Sequence, residues 1–231
     1  MESMVALLIA GGLAVAITVG IAAHGANKRR TEDLQALAAE HGWEWDERQD
    51  GLAGRWHGAP FRGHWKRAKA RSAISGTHRR RPFVAFEYSY TTTTSTGQTT
   101  STTTHRYGVW VITLPAALPA ISLGAEGVLG GRLARTFGFG GVEIGDPEFE
   151  TRFKVKSDDH DYAFRVLHPD MVRMLMDTGT WAWRIDGDAM ISYVKGRLEA
   201  EALVPRLELM HHVIDQIPRD VWDVYGRPGP S

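Results

Sequence analysis

The sequence contains no cysteine, carries no net charge, and holds a single long apolar run. The missing thiols exclude disulfide staples, thiolate zinc sites, iron–sulfur clusters and a cysteine nucleophile. The balance of 27 basic against 27 acidic side chains removes any overall pull toward a polyanion. Proline and glycine, at 10 and 25 of 231 residues, are too sparse for a collagen-like or low-complexity chain. With 43% hydrophobic and 23% charged residues, the composition is that of a globular protein of one or two domains.

The apolar run decides the expected location. Met4 to Ala23 contains no charge, and Thr18 is its only polar side chain. As a helix it measures about 30 Å, the thickness of a bilayer's hydrocarbon core. Ala22, Ala23 and Ala26 supply the small residues of a cleavage site, but Met1, Glu2 and Ser3 bring no positive charge, so a retained anchor is expected over a signal peptide. Lys28, Arg29 and Arg30 follow the run and nothing basic precedes it, which predicts an outside amino end and a cytoplasmic body. The expected localisation is therefore the cell membrane, single-pass. Gly12, Ala16 and Gly20 recur every four residues, a small-residue stripe that is a candidate homodimer contact.

Past the anchor, assigned to 1–26, the periodicity predicts a juxtamembrane stalk helix over 27–42, with Leu34, Leu37 and Ala38 on one face and Gly42 just past its end. An α+β body over 43–226 follows, its division into two sub-units near 115–145 left open, and 227–231 reads as a flexible tail. Trp43 and Trp45 alternate with acids as a strand, and Gly58, Ala59 and Pro60 read as a turn between strands. Val84, Phe86, Tyr88 and Tyr90 share one strand face, and this run is expected to pair with 107–114. Between them, residues 91–104 hold ten Thr, two Ser, one Gly and one Gln, predicting a projecting hairpin centred on Gly97. Its threonines are also candidate kinase substrates, with a passive loop the simpler reading.

Pro115, Pro119 and the glycines of 124–141 predict a short helix flanked by loops. Phe149, Thr151, Phe153 and Val155 alternate as a strand; Pro169 opens a helix carrying Met171, Val172, Leu175 and Met176. Asp186-Gly187 reads as a tight hairpin turn, and 199–216 as a last helix with Pro205 in or near its opening turns. Leu37 to Trp45 and Leu175 to Trp183 share a passage from helix through glycine to Trp-x-Trp, a weak internal echo. The fold class expected is thus an N-terminal transmembrane helix followed by a mostly antiparallel sheet with packed helices.

The segments LAAEHGWEW, GAPFRG, FVAFEYSY, GDPEFETRFKVKSDD, LHPDMVRML, WRIDGDAMISY and IPRDVW together resemble a group of uncharacterised bacterial single-pass membrane-anchored proteins, a domain-of-unknown-function family. The resemblance implies one anchor plus an α+β body and transfers no activity, ligand or catalytic residue.

Charge is segregated within the neutral total. Arg62, Lys66, Arg67, Lys69, Arg71, Arg79, Arg80 and Arg81 fall in a stretch without an acid, while 82–231 holds 14 basic and 19 acidic side chains. With Lys28, Arg29 and Arg30, these cations are the candidate contacts to anionic lipid headgroups or to an acidic protein, weighed against a plain solvated surface. Nucleic acid is disfavoured, because no recognition motif accompanies the basic run. Asp158, Asp159, His160 and Asp161 lack the glycine and the final carboxylate of a calcium loop and read as a polar turn. His211 and His212 are adjacent on a helix and cannot face one metal together. FGFGG at 137–141 lacks the ending of a phosphate loop, and no serine nucleophile elbow is present. No catalytic residue, cofactor or metal site is therefore assigned. A non-catalytic, membrane-tethered interaction or envelope module is expected, with a membrane-associated hydrolase as the alternative.

Overall fold

The computed structural model describes residues 25–61, 68–97, 99–125, 141–179 and 181–229. Its first element, α1, covers 25–41 and buries Arg30, Leu34 and Ala38 at four-residue spacing, the stripe of a helix with one inward face. Gly42 ends it with φ 66°, a conformation that glycine adopts without penalty. The Gly42 and Trp43 amides then turn back onto the carbonyls of Ala39 and Ala38, at 3.3 and 2.8 Å, satisfying the helix end.

The chain continues into β1 (Glu44–Arg48), a 3-10 turn (Asp50–Gly54), β2 (Lys69–His78), β3 (Arg81–Thr96) and β4 (Thr99–Ala125). After β5 (Gly141–Val142) come α2 (Pro147–Arg152), β6 (Phe153–Ser157), α3 (His160–Val166), α4 (Pro169–Thr178), β7 (Trp183–Lys195), α5 (Ala200–Gln216) and α6 (Arg219–Tyr225). The seven strands form one antiparallel sheet in the order β1-β2-β3-β4-β6-β5, with β7 on the other edge of β4. β4 organises it: its first half lies between β3 and β7, its last residues between β6 and β7. The mixed α+β fold and mostly antiparallel sheet expected from the sequence are present.

Several local expectations hold. β3 and β4 pair from Phe83 with Ile112 out to Thr96 with Thr99, so the threonine tract is a two-stranded ribbon turning at Gly97. Helices α1, α4 and α5 fall where periodicity places them. Other expectations are corrected. Residues 115–125 are strand, because Pro115 and Pro119 lie between the β3-paired and β6-paired parts of β4, where no ladder bond is lost. There Ala117 pairs instead with Arg227, at 2.8 and 2.9 Å, so the tail is anchored at that point.

The strand expected to start at Phe149 starts at Phe153. Asp146 caps the amides of Glu148 and Phe149 ahead of Pro147, and this start signal outweighs the alternating pattern. Asp186-Gly187 is a bulge inside continuous β7, at the register shift opposite Leu118. Gly58 bridges to Phe61, but the strand pairing across this region is β1 with β2, not the pair expected to flank the turn.

The bulges sort the core. On one face Ile74, Phe83, Ala85, Trp110 and Ile112 pack under α1, α4 and α5 with Leu34, Met171, Leu175, Leu207 and Met210. On the other, Phe86, Tyr88, Val109, Val111, Ile191 and Tyr193 are covered by Leu52, Ala53, Ala59 and Phe61. In β2 the alternation inverts at Ser72, φ 48°, and in β7 at Gly187, φ 63°, as one extra residue requires. Among the described residues no helix is long and apolar enough to cross a membrane. The expected span at 4–23, with Gly12, Ala16 and Gly20, lies outside the described residues.

Candidate anion-binding cleft

A cleft of about 540 Å³ opens on the helix face of the sheet, beside the start of the described part of α1. Asn27, Arg30, Thr31 and Gln35 reach it from α1, Trp45 and Glu47 from β1, Arg71 and Ser72 from β2, Glu87 from β3, Arg106 from β4, and Arg197 from the turn after β7. Strand pairing sets this convergence: Glu87 stands opposite Arg71 on β2 and, on its other side, opposite Gly108 on β4, two positions after Arg106. The Ser72 bulge interrupts β2 immediately beside Arg71, a usual place for re-aiming side chains at a site. Gly196 donates to the Arg106 carbonyl at 2.9 Å, which seats the Arg197 turn against β4. Gly108 permits that approach, since a Cβ there would stand 3.3 Å from the Arg197 carbonyl oxygen.

The floor of the cleft is a buried ion pair. Arg30 Nη1 lies 3.2 Å from Glu87 Oε2, with side chains 10% and 9% exposed. Arg30 also donates to the Leu198 carbonyl at 2.9 Å and to the Asn27 side-chain oxygen at 3.1 Å, and Arg197 donates to that same oxygen. Arg106 approaches the second Glu87 oxygen at 3.9 Å. Four guanidiniums thus face two carboxylates, an excess of two positive charges. Arg71 forms no ion pair among the described residues, and Arg197 contacts a neutral amide. Arg30 Nε and Trp45 Nε1 are buried donors without a hydrogen-bond partner among the described residues. Glu87 Oε2 also lacks a hydrogen-bond partner among the described residues but lies in the ion pair with Arg30, so the net excess in the cleft is cationic and the complementary ligand carries negative charge.

The cations singled out in the sequence separate into distinct places. Arg30 is buried in its ion pair with Glu87 at the floor of the cleft, and Arg71 joins it there. Lys28 pairs with Glu32 at 3.7 Å one turn on, while Arg29 and Lys69 are exposed without an ion pair among the described residues. Arg62, Lys66 and Arg67 lie outside the described residues. Arg79 and Arg80 form the β2–β3 turn, both with positive φ, 46° and 65°, although neither is glycine. Docking on α5 holds this turn: Arg79 meets Glu208 at 3.1 Å and Asp215 at 3.0 Å, and Arg81 meets Asp215 at 2.8 Å.

Beneath the turn, Arg81 Nη1 donates to His211 Nδ1 at 3.0 Å. A guanidinium cannot accept, so His211 is the neutral tautomer with its proton on Nε2. Burial first, then the neighbouring Arg81, push its pKa down to about 4, and burial likewise lowers that of His78. The unfolded chain therefore takes up a proton near pH 6.5 that the folded chain refuses until about 4. Stability should fall with pH across that window, by up to about 1.4 kcal/mol per pH unit for one proton. A series of urea titrations from pH 7 to 4 checks this, with His211→Gln expected to flatten the slope. His212 is exposed, as expected of an adjacent helical pair.

Two further arginines are structural. Arg184 donates to the carbonyls of His57 and Ala59 and to Asp186, tying the 57–61 segment to β7. Arg206 lies over the rings of Trp110 and Trp181, 5.7 and 5.2 Å from their centres. Asp159 caps α3 through the Tyr162 amide at 2.9 Å, so the acidic cluster there is the polar turn expected. Among the described residues no three metal-ligating side chains gather.

Sequence reasoning reached Arg30 and Arg71 but missed Glu87, Arg106 and Arg197. One signal was present: Glu87 is the single charge within the strand FVAFEYSY, and a carboxylate there demands a buried cation.

No family model matches the chain and no curated protein matches it. Among solved structures, the crystal structure of the mycobacterial trehalose monomycolate transport factor A matches with a TM-score of 0.56 at 14% identity, covering 87% of this chain and 98% of that one. The α+β fold described above is thus one that this chain shares with a mycobacterial transport factor.

Proposed function

We infer that the chain is a membrane-tethered, non-catalytic module of the cell envelope. Its single N-terminal span places the body on the cytoplasmic side, where its cationic groups meet anionic lipid or an acidic protein. One observation carries this reading: the apolar run 4–23 leads, within a few residues, into the helix that lines the arginine cleft. The name of the solved structure sharing the fold refers to transport rather than to a reaction, which accords with a binding role. The hydrolase alternative finds no support in the cleft, which no histidine lines and where the buried Glu87 carboxylate faces two guanidiniums.

Protease added to intact cells tests the topology. The body should remain uncut until the membrane is permeabilised; digestion in intact cells would overturn the cytoplasmic placement.

A further inference from the structure

We propose that the cleft binds the phosphate of an anionic lipid headgroup in the leaflet from which α1 emerges. The anion chemistry follows from the cleft alone, whereas the lipid as its source rests on the tethered reading above.

Three observations converge. The cleft holds four guanidiniums against the two carboxylates of Glu47 and Glu87, and neither Arg71 nor Arg197 forms an ion pair among the described residues. Guanidiniums suit this ligand because their planar forks match phosphate oxygens in pairs. The site is also built rather than incidental: Arg30 and Glu87 form a buried floor, a bulge flanks Arg71, and Gly108 lets the Arg197 turn approach. Finally, its position fits a headgroup. Arg30 follows the end of the apolar run by seven residues in the sequence, and the polar layer of a bilayer extends roughly 5–8 Å beyond its hydrocarbon core. A tether this short keeps the cleft near the headgroup layer, where lipid phosphate is present at high local concentration.

The exposed arginines of the β2–β3 turn do not serve this role. Arg79 and Arg81 are matched by Glu208 and Asp215 on α5, and Arg80 lies along the hairpin more than about 20 Å from Arg71.

The test is thermal unfolding of the full chain in neutral detergent, titrated with short-chain phosphatidylglycerol, short-chain phosphatidylcholine, inorganic phosphate and a polyglutamate peptide. A ligand of the folded state raises the melting temperature in proportion to its saturation. Phosphatidylglycerol should raise it, phosphatidylcholine should not, and inorganic phosphate should need at least about tenfold more to match the effect. Arg71→Gln with Arg197→Gln should weaken the phosphatidylglycerol response at least about tenfold, while Arg80→Gln leaves it intact. Should the double variant melt lower on its own, Arg197→Gln alone, at an exposed position, carries the comparison.

An absent phosphatidylglycerol shift, or an undiminished one in the variants, overturns the site. Equal potency of free phosphate overturns the lipid source, and a stronger response to polyglutamate assigns the cleft to an acidic protein instead. A chain that shows the lipid response yet washes free of membranes would leave the cleft standing and refute the tether.

Discussion

Arg30→Met should destabilise the protein by about 3–5 kcal/mol, the usual consequence of removing one partner from a buried ion pair. The loss follows from what remains. Glu87 would stay buried with only Arg106 at 3.9 Å, while the Leu198 carbonyl and Asn27 would each lose a guanidinium donor. The double change Arg30→Met with Glu87→Leu should recover much of the loss, because two apolar side chains leave no orphaned charge. Denaturant midpoints for the three proteins decide the matter. A single variant within about 1 kcal/mol of the parent would mean that Arg30 is a surface cation, as surface pairs contribute no more than that.

Trp110→Ala should cost a comparable amount, about 3–5 kcal/mol. Trp110 lies on the β4 stretch flanked by both β3 and β7 and is fully buried, so neighbours held by two ladders cannot collapse into the space it leaves. Its removal also takes away one of the two rings under Arg206, whose charge burial already disfavours. Trp222 offers a comparison within the same chain: it is only partly buried, on α6, and its truncation should cost clearly less. Equal costs at the two sites would contradict the placement of Trp110 at the centre of the helix-covered core.

How much of this was visible beforehand depends on the range of the signal. The helices α1, α4 and α5 and the hairpin turning at Gly97 were legible because their cues lie within one turn or one strand: Leu34 with Ala38, Met171 with Leu175, threonines flanking a single glycine. Phe149 and Phe153 misled because a four-residue interval fits both a strand face and a helix face; in the structure α2 ends between them and their rings stack 4.8 Å apart. Gly187 misled for a different reason. A tight turn and a bulge both ask for positive φ, and only the partner strand β4 distinguishes them. Pro115 and Pro119 are tolerated in β4 by the gap between β3 and β6, which no local pattern reveals.

The cleft lies at the far end of this scale. Arg30 and Leu198 are 168 positions apart, and Arg197 and Asn27 are 170 apart. Glu87, Arg71 and Arg106 meet only once three strands are in register. A run of cations in sequence therefore indicated basicity but not its division: Arg79 and Arg81 are paired with Glu208 and Asp215 on α5, while Arg80 and Arg71 form no ion pair among the described residues.

Alkaline carbonate extraction of membranes carrying the full chain tests the central claim most directly. A protein held by a bilayer-spanning helix stays with the pelleted membrane, and that is the result predicted here. Release of the intact chain into the supernatant would contradict the tether and leave the arginine cleft without a membrane to face.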